Sequence, residues 1–231
     1  IVQEFGQPIE KIFKCFEDKP VAAASIAQVH FATTIDGNPV AVKILRPKVE
    51  EAFSRDLAFL NWIAKTTEDH IPDMRRLRLS EFVQTLKRTI ALEMDLRLEA
   101  AAGDELRSNF EGDSTFFVPN MDWTRTGRRV LTTERIEGFP IDEIETIKKT
   151  GLDVKTLVGN MARILFLQVF RDGFFHADLH PGNLTVSPNG SIQAVDFGIM
   201  GRIDRQTRFY LAEMLIGFLN ADYEKVASVH F

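Results

Sequence analysis

At 231 residues the chain is long enough to bury a full core, as one domain or two lobes. Its formal net charge of −5, with Lys and Arg scattered rather than striped, excludes a general nucleic-acid surface. Cys15 is the single cysteine, which excludes an internal disulfide, points to a reducing compartment and reads as a small buried hydrophobe.

No apolar run is long enough to span a bilayer; Ile164 to Phe170 is short and closes on Arg171-Asp172. The N-terminus has neither a signal-peptide pattern nor an initiating methionine, and the C-terminus stops abruptly at Val229-His230-Phe231. Both ends read as cuts in a longer chain.

In chain order, Ile9, Ile12, Phe13 and Phe16 share a helical face, which predicts a helix over 8–16, closed by Pro20. After Val21-Ala22-Ala23-Ala24-Ser25 come a strand from Ile26 to Thr33, a turn at Asp36-Gly37-Asn38, and a strand from Val40 to Leu45 that carries Lys43. Pro47 stops it. Two amphipathic helices are predicted next, over 49–67 and 80–110, the second N-capped by Ser80 with Glu81 near its positive end. Strand-like Val118 and Val130 to Thr133 follow, and Glu134-Arg135-Ile136-Glu137-Gly138 reads as a linker between lobes. An apolar helix over 156–172, stopped by Gly173, delivers the chain into His176. Leu184 to Val186 and Ile192 to Val195 form a hairpin around Ser187-Pro188-Asn189-Gly190. A last helix over 205–219 is expected to bury Leu211, Leu215, Ile216 and Leu219.

The chemistry concentrates in His176-Ala177-Asp178-Leu179-His180-Pro181-Gly182-Asn183, followed by Val195-Asp196-Phe197-Gly198. In kinase-type phosphoryl transfer one aspartate faces the acceptor, an asparagine further along the loop holds a metal, and the Asp-Phe-Gly aspartate holds another. Asp178, Asn183 and Asp196 occupy those places. Their hard oxygens suit Mg2+, which prefers a few protein ligands plus phosphate oxygens to a complete protein cage. Lys43, in Val40-Ala41-Val42-Lys43, fits the lysine that neutralises nucleotide phosphates from a strand, against the simpler alternative of an edge lysine. Such a lysine needs an acidic partner. Glu93, Asp95 and Glu99 fall on one predicted helix; Glu99 is the preferred partner and Glu93 the reserve, able instead to pair with Arg97. A zinc reading of His176, Asp178 and His180 leaves Lys43 and Asp196 without a role.

Several positions depart from a protein kinase. Alanines stand where a Gly-rich loop would cover the phosphates, and alanine pays a steric penalty at positive φ. Ala177 replaces the arginine that receives activation-loop phosphorylation, His180 replaces a lysine, and no Ala-Pro-Glu follows Asp196-Phe197-Gly198. A protein substrate is disfavoured.

Pro20 to His30, Ala41-Val42-Lys43, Glu93-x-Asp95 with Glu99-Ala100-Ala101, and Phe174 to Asn183 together resemble the UbiB family of atypical kinase-like proteins of ubiquinone biosynthesis. The resemblance covers essentially the whole chain. It implies an α+β, two-lobed protein-kinase-like fold: a small N-lobe sheet with extra helices over 1–136 and a mostly helical C-lobe over 137–231. It implies ATP or ADP binding with Mg2+ and ATPase or small-molecule or lipid kinase activity in place of established protein phosphorylation. Nucleotide contacts fall to Ala22, Ala23, Ala24, Ser25, Lys43, Glu134 and Ile136; Asp178, Lys43 and Glu99 are the catalytic set, and Asn183 with Asp196 the metal ligands. Implied partners are quinone-precursor lipid and ubiquinone-biosynthesis enzymes, with no nucleic acid. The implied location is cytoplasmic, peripheral to or anchored at the inner membrane through regions outside these residues. The family's upstream Lys-x-Gly-Gln helix is not among them. Two other classes compete: a phosphotransferase of the aminoglycoside or choline kinase type, and a nucleotide-gated scaffold without turnover.

Overall fold

The computed structural model describes residues 1–24 and 26–230, so Ser25 lies outside the described residues. The chain divides into two compact units, the first formed by residues 1–101 and 120–135, the second by 102–119 and the residues from 136 onward.

The first unit opens with two short helices, α1 (Val2–Phe5) and α2 (Ile9–Ile12), and four strands, β1 (Phe13–Phe16), β2 (Ala22–Ala23), β3 (Ala27–Thr34) and β4 (Pro39–Leu45). The helix predicted over 8–16 ends at Ile12. Phe13 turns to extended φ/ψ and pairs with Thr34 on β3, so strand pairing overrides the helical period. The apolar set survives the change of period, since Ile12 and Phe13 join Ala32, Val40, Val42 and Val130 in one core, with Ile9 and Phe16 against it. A bulge between Phe13 and Cys15 shifts the register, and Cys15 is exposed, not buried as expected.

Beyond β4 the chain forms α3 (Val49–His70) and then α4 (Leu79–Glu93) and α5 (Leu96–Asn109) in place of the single helix predicted over 80–110. Asp95 is the cause of the break. Its carbonyl accepts from Leu98 N–H at 2.9 Å and its carboxylate from Arg97 N–H at 3.2 Å, so it starts a new helix instead of continuing the old one. Ser80 is likewise no N-cap: α4 has already begun at Leu79, and the Ser80 hydroxyl donates to Glu68 of α3 at 2.7 Å. Leu57 and Ala64 of α3 pack on Val83 of α4. After α5 the chain lends β5 (Phe116–Phe117) to the second unit, where Val118 was expected, and returns with β6 (Val130–Glu134). The sheet order is β1-β3-β4-β6 with β2 on β3, so β4 is interior. Glu134 closes β6 instead of standing in a linker.

The second unit adds β7 (Phe139–Pro140), α6 (Ile144–Lys149), α7 (Val154–Phe166), β8 (Phe174–His176), β9 (Leu184–Val186), β10 (Ile192–Ala194), β11 (Met200–Arg202), α8 (Arg205–Leu219) and α9 (Tyr223–His230). Asp153 caps α7 by accepting from Lys155 N–H and Thr156 N–H. The helix continues as a π-helical turn over Leu167–Asp172, and Gly173, left-handed at φ 65°, ends it as expected. Strands β9 and β10 make the predicted hairpin inside the order β5-β10-β9-β7, and β8 pairs with β11. The predicted burial of one α8 face fails: only Gly217 of α8 is buried, and Leu219 is 76% exposed.

Candidate nucleotide and metal site

Strand β4 alternates, so Val40 and Val42 enter the core while Ala41 and Lys43 point to the other face of the sheet. The interior position of β4 excludes the edge-lysine alternative. Lys43 Nζ donates to both carboxylate oxygens of Glu99 on α5, at 2.7 and 2.9 Å, with Glu99 only 7% exposed. The break at Asp95 makes this pair, because it ends α4 and sets the start of α5 so that Glu99 lies in its first turn. Arg97 binds Asp95 at 2.6 Å, which removes the exposed Glu93–Arg97 pair considered from sequence. The Arg97 hydrogen bond holds the Asp95 carboxyl below the usual carboxylate range.

Ala22 and Ala23 form β2 against Gln28 and Val29, and Ala24 accepts from Arg46 Nε at 3.1 Å. None of the three has positive φ, so the loop avoids the steric penalty that alanine carries there. All three are exposed. Directly paired residues of antiparallel strands share a face, and Glu134 pairs with Val40. The Glu134 side chain therefore lies on the face opposite Lys43, where Asn120 Nδ2 donates to it at 2.6 Å. The Glu134 carboxylate and the Lys43 ammonium thus stand on opposite faces of the sheet. Ile136, half-buried, is the first residue after the first unit.

In the second unit, His176 organises the loop. Its buried ring accepts from Asp178 N–H at Nδ1 and donates from Nε2 to the Asp196 carbonyl, a pattern that only the neutral Nε2–H tautomer satisfies. Burial lowers its pKa and favours that neutral form. The His176 N–H donates to Gln168 Oε1 at 2.8 Å. Gln168 is fully buried on the π-helical turn, and sequence reasoning missed it; an amide inside an apolar helix stretch was the available signal. His180 accepts from Gly182 N–H and sits 3.6 Å from Asp178 Oδ2. Asn183 donates through Nδ2 to the Asp178 carbonyl at 3.0 Å and carboxylate at 3.2 Å, which leaves its Oδ1 without a protein donor among the described residues. Asp196 Oδ1 accepts from Gly198 N–H at 3.0 Å.

The second unit thus brings Asp178, Asn183 and Asp196 into one hydrogen-bonded segment. Both ring nitrogens of His176 are engaged, by Asp178 N–H and by the Asp196 carbonyl, so the ring offers no open nitrogen to a metal. One amide oxygen and one carboxylate fit Mg2+ that takes its remaining ligands from phosphate and water.

A lysine–glutamate pair on a β-sheet and helix, with an Asp-x4-Asn loop and an Asp-Phe-Gly segment, defines an atypical protein-kinase-like fold. Within that class, residues 1–230 match the ABC1 atypical kinase-like domain, and the chain belongs to this family. It is 40% identical over 232 residues to the probable protein kinase UbiB of Aliivibrio fischeri strain MJ11, covering 98% of this chain and 43% of that protein. Identity to the probable protein kinase UbiB of Pseudomonas aeruginosa strain LESB58 is 42% over 234 residues, covering 100% of this chain and 44% of the relative. The chain therefore spans less than half the length of these relatives. Among solved structures it resembles the Rv3197–erythromycin complex from Mycobacterium tuberculosis, with TM-score 0.77, 28% identity, and coverage of 99% of this chain and 57% of that one. The Rio2 kinase–ADP/Mg2+–phosphoaspartate complex from Chaetomium thermophilum shares the fold, with TM-score 0.50, 13% identity, and coverage of 87% and 53%.

Proposed function

We propose that this chain is the nucleotide-binding part of an atypical kinase that binds ATP or ADP with Mg2+ and turns it over, as an ATPase or as a small-molecule or lipid kinase, in support of ubiquinone biosynthesis. The observation that carries the reading is the two-point Lys43–Glu99 ion pair, which holds an ammonium on an interior strand where a phosphate-neutralising lysine is needed. Lys43 then contacts phosphate oxygens, Asn183 Oδ1 and Asp196 supply metal ligands, and Asp178 takes the proton of the attacking hydroxyl or water. When bound, Mg2+ neutralises the charge that develops on the transferred phosphoryl group. His176 keeps Asp178 and Asp196 in register through its ring nitrogens. The Rio2 complex with ADP/Mg2+ supports the choice of ligand for this fold. In the whole protein, quinone-precursor lipid and quinone-biosynthesis enzymes are the proposed partners, at the membrane surface.

The test is Asp196→Asn. Loss of Mg2+-dependent ADP binding by calorimetry, together with loss of phosphate release, is expected; unchanged binding and turnover would sink the site assignment. A second reading, nucleotide-gated scaffolding without turnover, is favoured by the alanine loop, which forms a paired strand where glycines would leave a mobile cover. Protein that binds ADP but releases no phosphate with quinone-precursor lipid present would select it.

A further inference from the structure

The first unit contains a cavity of about 630 Å3, within the range of small-molecule sites. Its apolar wall is Pro39, Val40, Met121 and the ring of Trp123, and its polar end is Asn120 and Glu134. Val40 and Glu134 are paired across β4 and β6 and lie on the sheet face opposite Lys43. The cavity is therefore separate from the phosphate-neutralising lysine, and no residue role given above accounts for it.

Its charge is one-sided. Asn120 donates to Glu134 Oε2 from its backbone N–H at 3.3 Å and its side chain at 2.6 Å, which fixes the carboxylate. Glu134 Oε1 has no protein donor, and no cation pairs with Glu134 among the described residues. The second carboxylate of the wall, Asp122, is already neutralised by Arg125 at 2.7 Å. Arg135 also lines the cavity, but its guanidinium is directed to the other face of the sheet, 3.8 Å from the Phe31 ring, and Phe31 pairs with Ala41 on the Lys43 face. A fixed carboxylate with an open oxygen, beside an indole face in an apolar wall, is complementary to an ammonium carried on a ring-sized apolar body.

We infer that this cavity binds a small organic amine with an apolar ring, the ammonium on Glu134 Oε1 and the ring against Trp123 and Met121. This goes beyond the nucleotide reading and does not depend on it. The experiment uses ligand-observed NMR on the chain with phenethylamine, its neutral analogue phenethyl alcohol, and phenylacetate, each with and without MgADP. Phenethylamine is expected to bind at least about tenfold more tightly than the other two, as a charge-assisted contact added to ring packing requires. MgADP should leave its binding intact. Glu134→Gln should erase the preference for the amine, and Trp123→Leu, at a side chain 47% exposed and so tolerant of change, should weaken it. The inference is overturned if no probe binds, if phenylacetate binds as well as the amine, if MgADP displaces the amine, if a Glu134→Gln chain that melts as the parent does keeps the full preference, or if a Trp123→Leu chain that melts as the parent does binds the amine as tightly as the parent.

Discussion

Lys43 and Glu99 are 56 positions apart in sequence and meet at 2.7 Å, with Lys43 only 18% exposed. Neither charge is well hydrated, so breaking the pair by removing one member is costly, roughly 3–5 kcal/mol for a pair in a fully buried setting. Lys43→Met and Glu99→Gln should each lower ADP affinity at least about tenfold, and the double variant should lose less than the sum, since either change already breaks the Lys43–Glu99 pair. Calorimetric titration of the three variants checks this. Asp95 gives the pH dependence. Its folded pKa lies below the ordinary value of 3.8, chiefly through Arg97, so its stabilisation is complete above that value and is lost as pH falls through the folded pKa. Asp95→Ala also removes the start of α5, a loss of about 1 kcal/mol or 2–4 °C in melting temperature at neutral pH. The gap between parent and variant should narrow in melts below pH 3.8, and a constant gap would contradict the assignment.

At the scale of elements, the best-read parts were those with local punctuation. The β3–β4 and β9–β10 hairpins carry their own turns, with Gly37 and Gly190 at positive φ, and both form where expected. Gly173 is the most constrained stop: at φ 65° an added Cβ would stand 2.6 Å from the Ile203 carbonyl. Gly173→Ala should therefore cost more than about 1 kcal/mol and displace β8 and the His176 loop behind it, lowering both the thermal midpoint and nucleotide binding. Elements were misread where a distant partner outvoted local pattern. Phe13 to Phe16 kept a helical spacing yet became a strand because β3 offers its edge, and the predicted 80–110 helix broke because Asp95 finds Arg97 and its own downstream amides. The α8 face, apolar by sequence, has Phe209 and Phe218 more than half exposed, since periodicity states which side is apolar and not what covers it.

At the scale of the whole molecule, a cut at 136 would not yield two folding halves. Residues 102–119 belong with the second unit, where Phe116 pairs in parallel with Ile192 and Phe110 meets the Phe116 ring at 4.8 Å. Expressed separately, 1–136 would carry these phenylalanines without their strand partner and 137–231 would lack β5. Both are expected to melt without a cooperative transition, whereas the intact chain melts cooperatively; differential scanning calorimetry distinguishes the outcomes.

The family was legible in the sequence alone: Lys43 on a strand, the Asp178 to Asn183 spacing and Asp196-Phe197-Gly198 are short-range patterns, and the chain belongs to the atypical kinase-like family that they indicate. Which acid would hold Lys43 rested on a preference among three carboxylates, and the helix break at Asp95 brings Glu99 to it. The buried Gln168 behind His176, the exposure of Cys15 and the turn of Glu134 away from Lys43 were decided only by tertiary structure. Each depends on register or on a partner far along the chain, and a pairing between distant segments leaves no period in the sequence of either one.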